Sequence, residues 1–193
     1  GGDRVIRFEG ILSGSLSFLF GLMEDGVPFS QAVRQAREKG FTEPDPRDDL
    51  SGLDVARKVL ILARESGLSL ELADVKVSGV LPEFFDATGD VDAFMARCET
   101  LDAHFAKLAA DAKGRGEVLR FVAAFGPDGC EAGVQACSAD HPLSAIRGGE
   151  NAFSFLTRHY RPRPLVVRGY GAGAAVTAAG VLADVVKLVP GAV

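Results

Sequence analysis

Apolar positions recur with helical spacing through most of the first half of the chain and with strand-like alternation through much of the second. Residues 4 to 9, RVIRFE, alternate and predict a short strand. The GILSGSLSFLFGLMEDG stretch then gives a turn at Ser13-Gly14-Ser15 and a helix with Leu16, Leu19, Phe20 and Met23 on one face, stopping at Asp25-Gly26. PFSQAVRQAREKG predicts a second helix, capped by Ser30 or starting just before it, with Gly40 as its stop. A third runs from about Gly52 to Glu65 and ends at Gly67. After a short strand and turn in ADVKVSGVLP, residues 73 to 82, the pattern is helical from Asp90 to about Lys113 with a break near Cys98. Residues 117 to 126 and 130 to 138 read as strands joined in a hairpin by Pro127-Asp128-Gly129. Residues 151 to 160, where Phe153 and Phe155 alternate, and 162 to 169 read as further strands. The loop GYGAG, 169 to 173, leads into an apolar helix from about Val176 to Leu188. Helices gathered ahead of antiparallel strands imply an α+β domain, one sheet covered by helices. With no repeat or low-complexity linker, residues 1–193 read as one domain. The last helix is apolar on more faces than a lone surface helix requires, so it is expected to dock elsewhere.

Composition narrows the class. The 193 residues suffice to bury about 70% of the unfolded chain's surface. A 47% hydrophobic and 24% charged content fits a soluble globular domain. The apolar runs at 59 to 63 and 174 to 186 fall short of the ~20 residues a membrane span needs, and Asp184 interrupts the second. Gly1-Gly2-Asp3-Arg4 carries no signal-peptide pattern, and so abrupt a start suits a piece of a longer polypeptide. A net charge of -5 disfavours nucleic acid and anionic lipid as partners. Cys98, Cys130 and Cys137 are odd in number and lack CxxC spacing, which reads as reduced thiols in a cytoplasmic protein. His104, His141 and His159 lie too far apart for a local metal motif, and no metal is expected.

The densest chemistry lies in FTEPDPRDDLSGLDVARK, residues 41 to 58. Pro44 and Pro46 predict a stiff, extended loop. Ser51 suits a helix N-cap and Asp54 the capping-box position three residues on, while Asp54 and Lys58 stand one turn apart, a pair worth only ~0.3 kcal/mol when exposed. A capped helix with solvated charges therefore accounts for the run. The VLILA that follows argues for a covered helix instead, on which Lys58 would need Asp54, Glu43 or Asp49 as a partner and could share them with a polar small molecule. A metal site is the third reading, although the run lacks the order of a calcium loop. GYGAG could receive a phosphate or planar ring at a helix N-terminus, or be an ordinary turn, since it is no full GxGxxG unit. Ser13-Gly14-Ser15 is a helix cap or a set of amides facing a carboxylate.

Four stretches together resemble homoserine dehydrogenase: GILSGSLSFLFG, GFTEPDPRDDLSGLDVARKVLILARESG, NAF and LVVRGYGAGAAVTAAGVLAD. The form is similar to that region of the bifunctional aspartokinase/homoserine dehydrogenases that follows the nucleotide-binding domain. The resemblance implies a substrate-binding and dimerisation domain on a mixed, largely antiparallel sheet, within an enzyme that interconverts L-homoserine and L-aspartate 4-semialdehyde. It implies NADP or NAD as cofactor, bound mainly by a domain ahead of Gly1, and a docking of residues from about 170 to 193 on that domain. By the same resemblance Glu43 receives the substrate ammonium, Asp54 and Lys58 lie at its hydroxyl as catalytic residues, and Asp49 and Phe41 belong to the pocket. Gly14 and Ser15 match the turn against the substrate, and Gly171, Ala172 and Gly173 the segment facing the nicotinamide. Phe41 stands where many relatives have tyrosine, and Ser15 where many have threonine. A lysine that accepts a proton near neutral pH calls for burial, since desolvation disfavours its charged form. The isolated chain is expected to be inactive and the assembled protein a homodimer through the sheet. A non-catalytic dimerisation module is the alternative, favoured by phenylalanines at 121, 125, 153 and 155 and exposed sheet edges. A metal-dependent hydrolase finds no histidine near the acidic run.

Overall fold

The computed structural model describes residues 2–188. Its strands are β1 Val5–Ile11, β2 Val75–Val77, β3 Glu117–Gly126, β4 Gly129–Ser138, β5 Asn151–Thr157 and β6 Leu165–Gly169. Its helices are α1 Gly14–Glu24, α2 Phe29–Glu38, α3 Pro46–Leu50, α4 Leu53–Glu65, α5 Val91–Arg97, α6 Asp102–Gly114 and α7 Ala174–Lys187. The strands form one sheet in the order β2-β4-β3-β1-β5-β6, antiparallel throughout except where β2 runs parallel to β4. This is the expected α+β class with a mixed, largely antiparallel sheet. The β3–β4 hairpin closes with Gly126 opposite Gly129, and the helical break near Cys98 is a short 3-10 turn between α5 and α6.

Alternation along the strands sends Phe8, Phe121, Ala123, Phe125, Cys130 and Ala132 to one face, where they pack against Leu16, Leu19 and Phe20 of α1, Val33 of α2, and Val55 and Val59 of α4. Phe8 stacks on Phe125 with ring centroids 5.2 Å apart and meets Phe155 at 5.1 Å. Phe121 and Phe125 are thus buried, and Phe153 and Phe155 pack partly buried on the same core. The phenylalanines read as favouring a subunit interface belong to the helix-covered face. Alternation separates the two faces of a strand without saying which one the helices take.

The other face carries a smaller cluster, Ile11, Val122, Cys137, Leu143, Ile146 and Ala152, to which the connection from β4 to β5 contributes Leu143 and Ile146. Buried Arg120 donates to Glu24 Oε2 at 2.6 Å and to the Ser144 carbonyl, tying that connection to the end of α1. All three cysteines are buried as free thiols, and burial pushes the Cys98 thiol up to about 11. They fill the core, and Cys98 and Cys130, whose thiols burial pushes up, are poor nucleophiles.

Phe29 opens α2 just before Ser30, one of the two expected starts, and Ser30 gives its N–H and hydroxyl to the Asp102 carboxylate at 2.7 and 2.8 Å, joining α2 to α6. The entry to α4 needs correction. Residues 46 to 50 are helical where a stiff extended loop was expected. Pro46 occupies the first helical position, where its missing N–H has no partner to lose, and Asp45 caps the turn by accepting from the Arg47 N–H at 3.1 Å. Ser51 therefore ends α3, and Gly52, with φ 72°, precedes α4 without a side-chain cap. The expected Ser51–Asp54 capping box does not form: the Ser51 hydroxyl donates to the Asp48 carbonyl at 2.7 Å.

Gly52 is fixed both by that left-handed φ and by space, since a methyl group there would come within 2.5 Å of the buried Phe121 ring. Gly52→Ala is expected to destabilise the fold by about 3 kcal/mol, from backbone strain plus overpacking. Urea unfolding of the variant beside the parent would measure it, and an unchanged midpoint would contradict the assignment.

No residue of α7 is buried, and Val181 and Leu182 are 60% and 63% exposed. Residues 189–193 of the expected docking segment, and Gly1, lie outside the described residues. No described helix is long and apolar enough to cross a membrane.

Candidate functional site

Strand β1 delivers the chain to a turn at the N-terminus of α1, where the extended Ser13 caps the helix by accepting the Leu16 N–H at 3.2 Å. The Ser13 hydroxyl lies 2.8 Å from that of Ser15, which donates to Asp49 Oδ1 at 2.6 Å. Asp49 Oδ2 in turn accepts the Glu43 N–H at 2.9 Å. One carboxylate therefore ties the α1 turn to the Glu43 backbone. A charge-assisted bond of this kind is worth about 1.5–3 kcal/mol. Asp49→Ala should lower stability by about that amount, with Asp49→Asn losing less, as read by chemical denaturation. Equal stability of all three proteins would show that the tie carries no load.

Neighbouring charges fix the loop. Arg47 grips Asp45 with a side-chain contact at 2.6 Å, donates to the carbonyls of Ala87 and Gly89, and lies 5.4 Å over the Phe94 ring. The bond from Arg47 holds the Asp45 carboxyl below the usual carboxylate range. These two charges hold the loop in place. Phe41 stacks on Phe18 at 4.2 Å, and a methyl group at Gly149 would approach its ring to 2.6 Å, so only a glycine backbone fits behind it.

Lys58 Nζ stands 2.8 Å from Asp54 Oδ2 and donates to the Leu12 carbonyl at 3.1 Å. The Leu12 contact carries the lysine across to the end of β1, beside the Ser13–Ser15 turn. The expected covering of Lys58 is overturned within this chain: the Lys58 and Asp54 side chains are 46% and 63% exposed. They lie on the α4 stripe of Ile61, itself exposed, while Val55, Val59 and Ala63 face the core. Glu43 is exposed, and among the described residues its carboxylate has no hydrogen-bond or ion-pair partner.

The fold thus gathers Gly14, Ser15, Phe41, Glu43, Asp49, Asp54 and Lys58 around one turn. An ammonium has three donor directions, and Asp54 and Leu12 use two. The remaining one, with the uncommitted Glu43 carboxylate, suits a ligand that carries an oxygen acceptor at one end and a cation at the other. Gly171 reaches this region through Asn151: a methyl group on Gly171 would lie 2.5 Å from Asn151 Nδ2. Ala172 and Gly173 are exposed. A cavity of about 360 Å³ lies elsewhere, between α1 and α6, lined by Phe20, Met23 and Ala109 among others. Among the described residues, no three His, Cys, Asp or Glu side chains group as metal ligands.

Nothing in the sequence assigned a role to the Leu12 carbonyl, Phe18, Thr42, Gly149 or Asn151, although all but Gly149 fall within the stretches that carry the resemblance. Thr42 Oγ1 and Asn151 Oδ1 are buried without a hydrogen-bond partner. Gly149 falls outside those stretches, in a Gly148-Gly149 pair whose composition suits a turn ahead of a strand.

Comparison with known proteins bears on this geometry. The homoserine dehydrogenase family model matches residues 1–186. The chain is 55% identical over 186 residues to a bifunctional aspartokinase/homoserine dehydrogenase of Haemophilus influenzae, covering 96% of this chain and 23% of that protein. It is 47% identical to a chloroplastic counterpart from Zea mays, covering 97% and 21%. A crystal structure of a Candida auris protein of unknown function superposes with TM-score 0.90 at 39% identity, covering 96% of this chain and 54% of the other. Staphylococcus aureus homoserine dehydrogenase shares the fold at TM-score 0.77 and 23% identity, covering 97% and 43%. The chain spans between 20% and 23% of the length of these and similar curated bifunctional relatives.

Proposed function

This chain belongs to the homoserine dehydrogenase family, and on that premise we propose that it is the substrate-binding and dimerisation region of an NAD(P)-dependent oxidoreductase interconverting L-homoserine and L-aspartate 4-semialdehyde. The observation that carries the reading is the Lys58–Asp54–Leu12 contact beside the turn that Asp49 ties to Glu43. Homoserine bears an ammonium and a carboxylate at one end and a hydroxyl at the other. Glu43 meets the ammonium, the α1 turn at Gly14 and Ser15 meets the carboxylate, and Lys58 with Asp54 meets the hydroxyl. Phe41, clamped between Phe18 and Gly149, is a wall of the pocket and offers no hydroxyl of its own.

Lys58 handles the proton on the reacting oxygen. As an ammonium held by Asp54 and the Leu12 carbonyl it gives a proton to the semialdehyde oxygen during reduction; as a neutral amine it takes the hydroxyl proton of homoserine during oxidation. Its exposure in this chain leaves the side of the site toward solvent for a further part of the protein to close, and exclusion of water there would strengthen the charge interactions. Nicotinamide, when bound, supplies hydride transfer at the carbon bearing that oxygen. Residues 170 to 173 fit the nicotinamide end of the cofactor, being exposed, free of charged side chains and, at Gly171, adjacent to the Asn151 side-chain nitrogen. We assign Gly171, Ala172 and Gly173 to that end, and the remainder of the dinucleotide to a separate domain. The wholly exposed apolar surface of α7 supports its docking on that domain. The sheet face away from the main core is the surface assigned to the homodimer. Three free thiols suit a reducing compartment such as the cytoplasm.

Full-length protein given L-homoserine with NADP or NAD is expected to form reduced nicotinamide at a rate dependent on homoserine. Dimerisation without homoserine binding or turnover would favour the non-catalytic module instead.

A further inference from the structure

Asn151 opens β5 opposite Gly169, where β6 ends and the glycine loop departs. Its side-chain amide lies between two elements of the proposed pocket. Nδ2 is so close to Gly171 that a methyl group there would come within 2.5 Å, and Oδ1 lies 3.9 Å from the place of a methyl group on Gly14, the first residue of α1. Oδ1 is buried and accepts no hydrogen bond. An acceptor left in that state costs about 1–3 kcal/mol, and buried polar groups are otherwise nearly always satisfied. A leucine of similar size would remove that cost. A polar amide at this spot therefore calls for a role in another state of the protein.

We propose that Asn151 is a positioning residue that couples the two ligand subsites. When the glycine loop is pressed onto Nδ2, Oδ1 takes a backbone N–H from the α1 turn, so filling one subsite pre-orders the other. The inference rests on the reading of the α1 turn as the substrate subsite and of residues 171 to 173 as the nicotinamide subsite. It goes beyond that reading in making the two interdependent through a residue that touches neither reacting atom. The coupling is a free energy shared by both ligands and must appear equally in each affinity.

Homoserine together with a reduced nicotinamide cofactor forms an unreactive ternary mixture, so the coupling is measurable as binding. Cofactor fluorescence would be titrated on full-length protein, with and without saturating L-homoserine. The parent is expected to bind reduced cofactor about 5-fold or more tightly in the presence of homoserine. Asn151→Leu should bring that ratio close to 1 while each ligand alone binds within about 3-fold of the parent. Asn151→Asp keeps the shape and Oδ1 but replaces the donor facing Gly171, so it should fold even if the leucine variant does not, with the ratio again reduced. Hydrogen exchange of residues 169 to 176 supplies a readout independent of turnover: homoserine should slow it in the parent and not in the variants. A parent that oxidises homoserine while both variants keep its ratio overturns the inference alone. Loss of both separate affinities in the well-folded Asp variant would mark a structural role and also overturn it. A parent that binds neither ligand overturns the functional reading, and the inference with it.

Discussion

Replacing Lys58 with alanine in the full-length protein is expected to lower kcat for homoserine oxidation by about 10²–10⁴-fold, the range a positioned proton-transfer group supplies. Fold and homoserine affinity should change little, because Lys58 lies on the exposed stripe of α4 and removing it leaves no cavity in the core. Asp54 stays exposed to water, while the carbonyl of buried Leu12 loses its Lys58 donor, which should lower stability by about 1–3 kcal/mol without changing the fold. A fall confined to kcat marks an interaction made chiefly in the transition state, whereas a rise confined to KM would mark simple binding. Lys58→Arg should not restore the rate, since a guanidinium stays protonated and cannot accept the hydroxyl proton. A kcat within about 3-fold of the parent in the alanine variant would remove Lys58 from the chemistry.

Changing Glu43 to glutamine should act on the other end of the substrate. The Glu43 carboxylate has no partner among the described residues, so it is free to receive an ammonium, and the backbone that carries it is held by Asp49. Glutamine keeps the shape and the Asp49 bond, which involves only the backbone N–H. A charge-assisted hydrogen bond to the substrate is worth about 1.5–3 kcal/mol, so KM for homoserine should rise by roughly 10- to 100-fold with a smaller change in kcat. Steady-state kinetics with saturating cofactor would show it. A normal KM would mean that the ammonium is received elsewhere.

Much of this was legible from residue order. The helices α1, α2, α4 and α6 follow from the spacing of apolar residues, and the β3–β4 hairpin from Pro127-Asp128-Gly129 between alternating runs. Local rules misread the entry to α4 because two of them compete there. Proline disfavours the helical region in the residue before it, yet is well suited to begin a helix, and Pro46 takes the second role with Asp45 as its cap. That choice turns Ser51 into the end of α3 and leaves the start of α4 to Gly52, whose need for a glycine comes from Phe121, nearly seventy positions on. No local pattern holds such information. Lys58 was expected to be covered because VLILA follows it, but position around the helix decides exposure, and Lys58 falls on the stripe of Asp54 and Ile61.

The site divides in the same way. Glu43, Asp49, Asp54 and Lys58 were visible as charges crowded into one run, and their assignment to a pocket came from resemblance, since a capped helix with solvated charges explained them as well. Ser15 and Asp49 are 34 positions apart, and their bond arises only when α1 and α3 pack side by side. Asn151 was legible in the sequence only as the first residue of the NAF stretch and of a strand, with no role of its own, because strand pairing is what sets it against Gly171.

A crystal structure of the full-length protein with L-homoserine and reduced nicotinamide cofactor tests the central claim most directly. The account predicts the homoserine ammonium in hydrogen-bonding contact with the Glu43 carboxylate and its hydroxyl in contact with Lys58 Nζ, beside the Ser13–Ser15 turn. Homoserine bound away from Lys58, or with its hydroxyl turned toward Glu43, would contradict it.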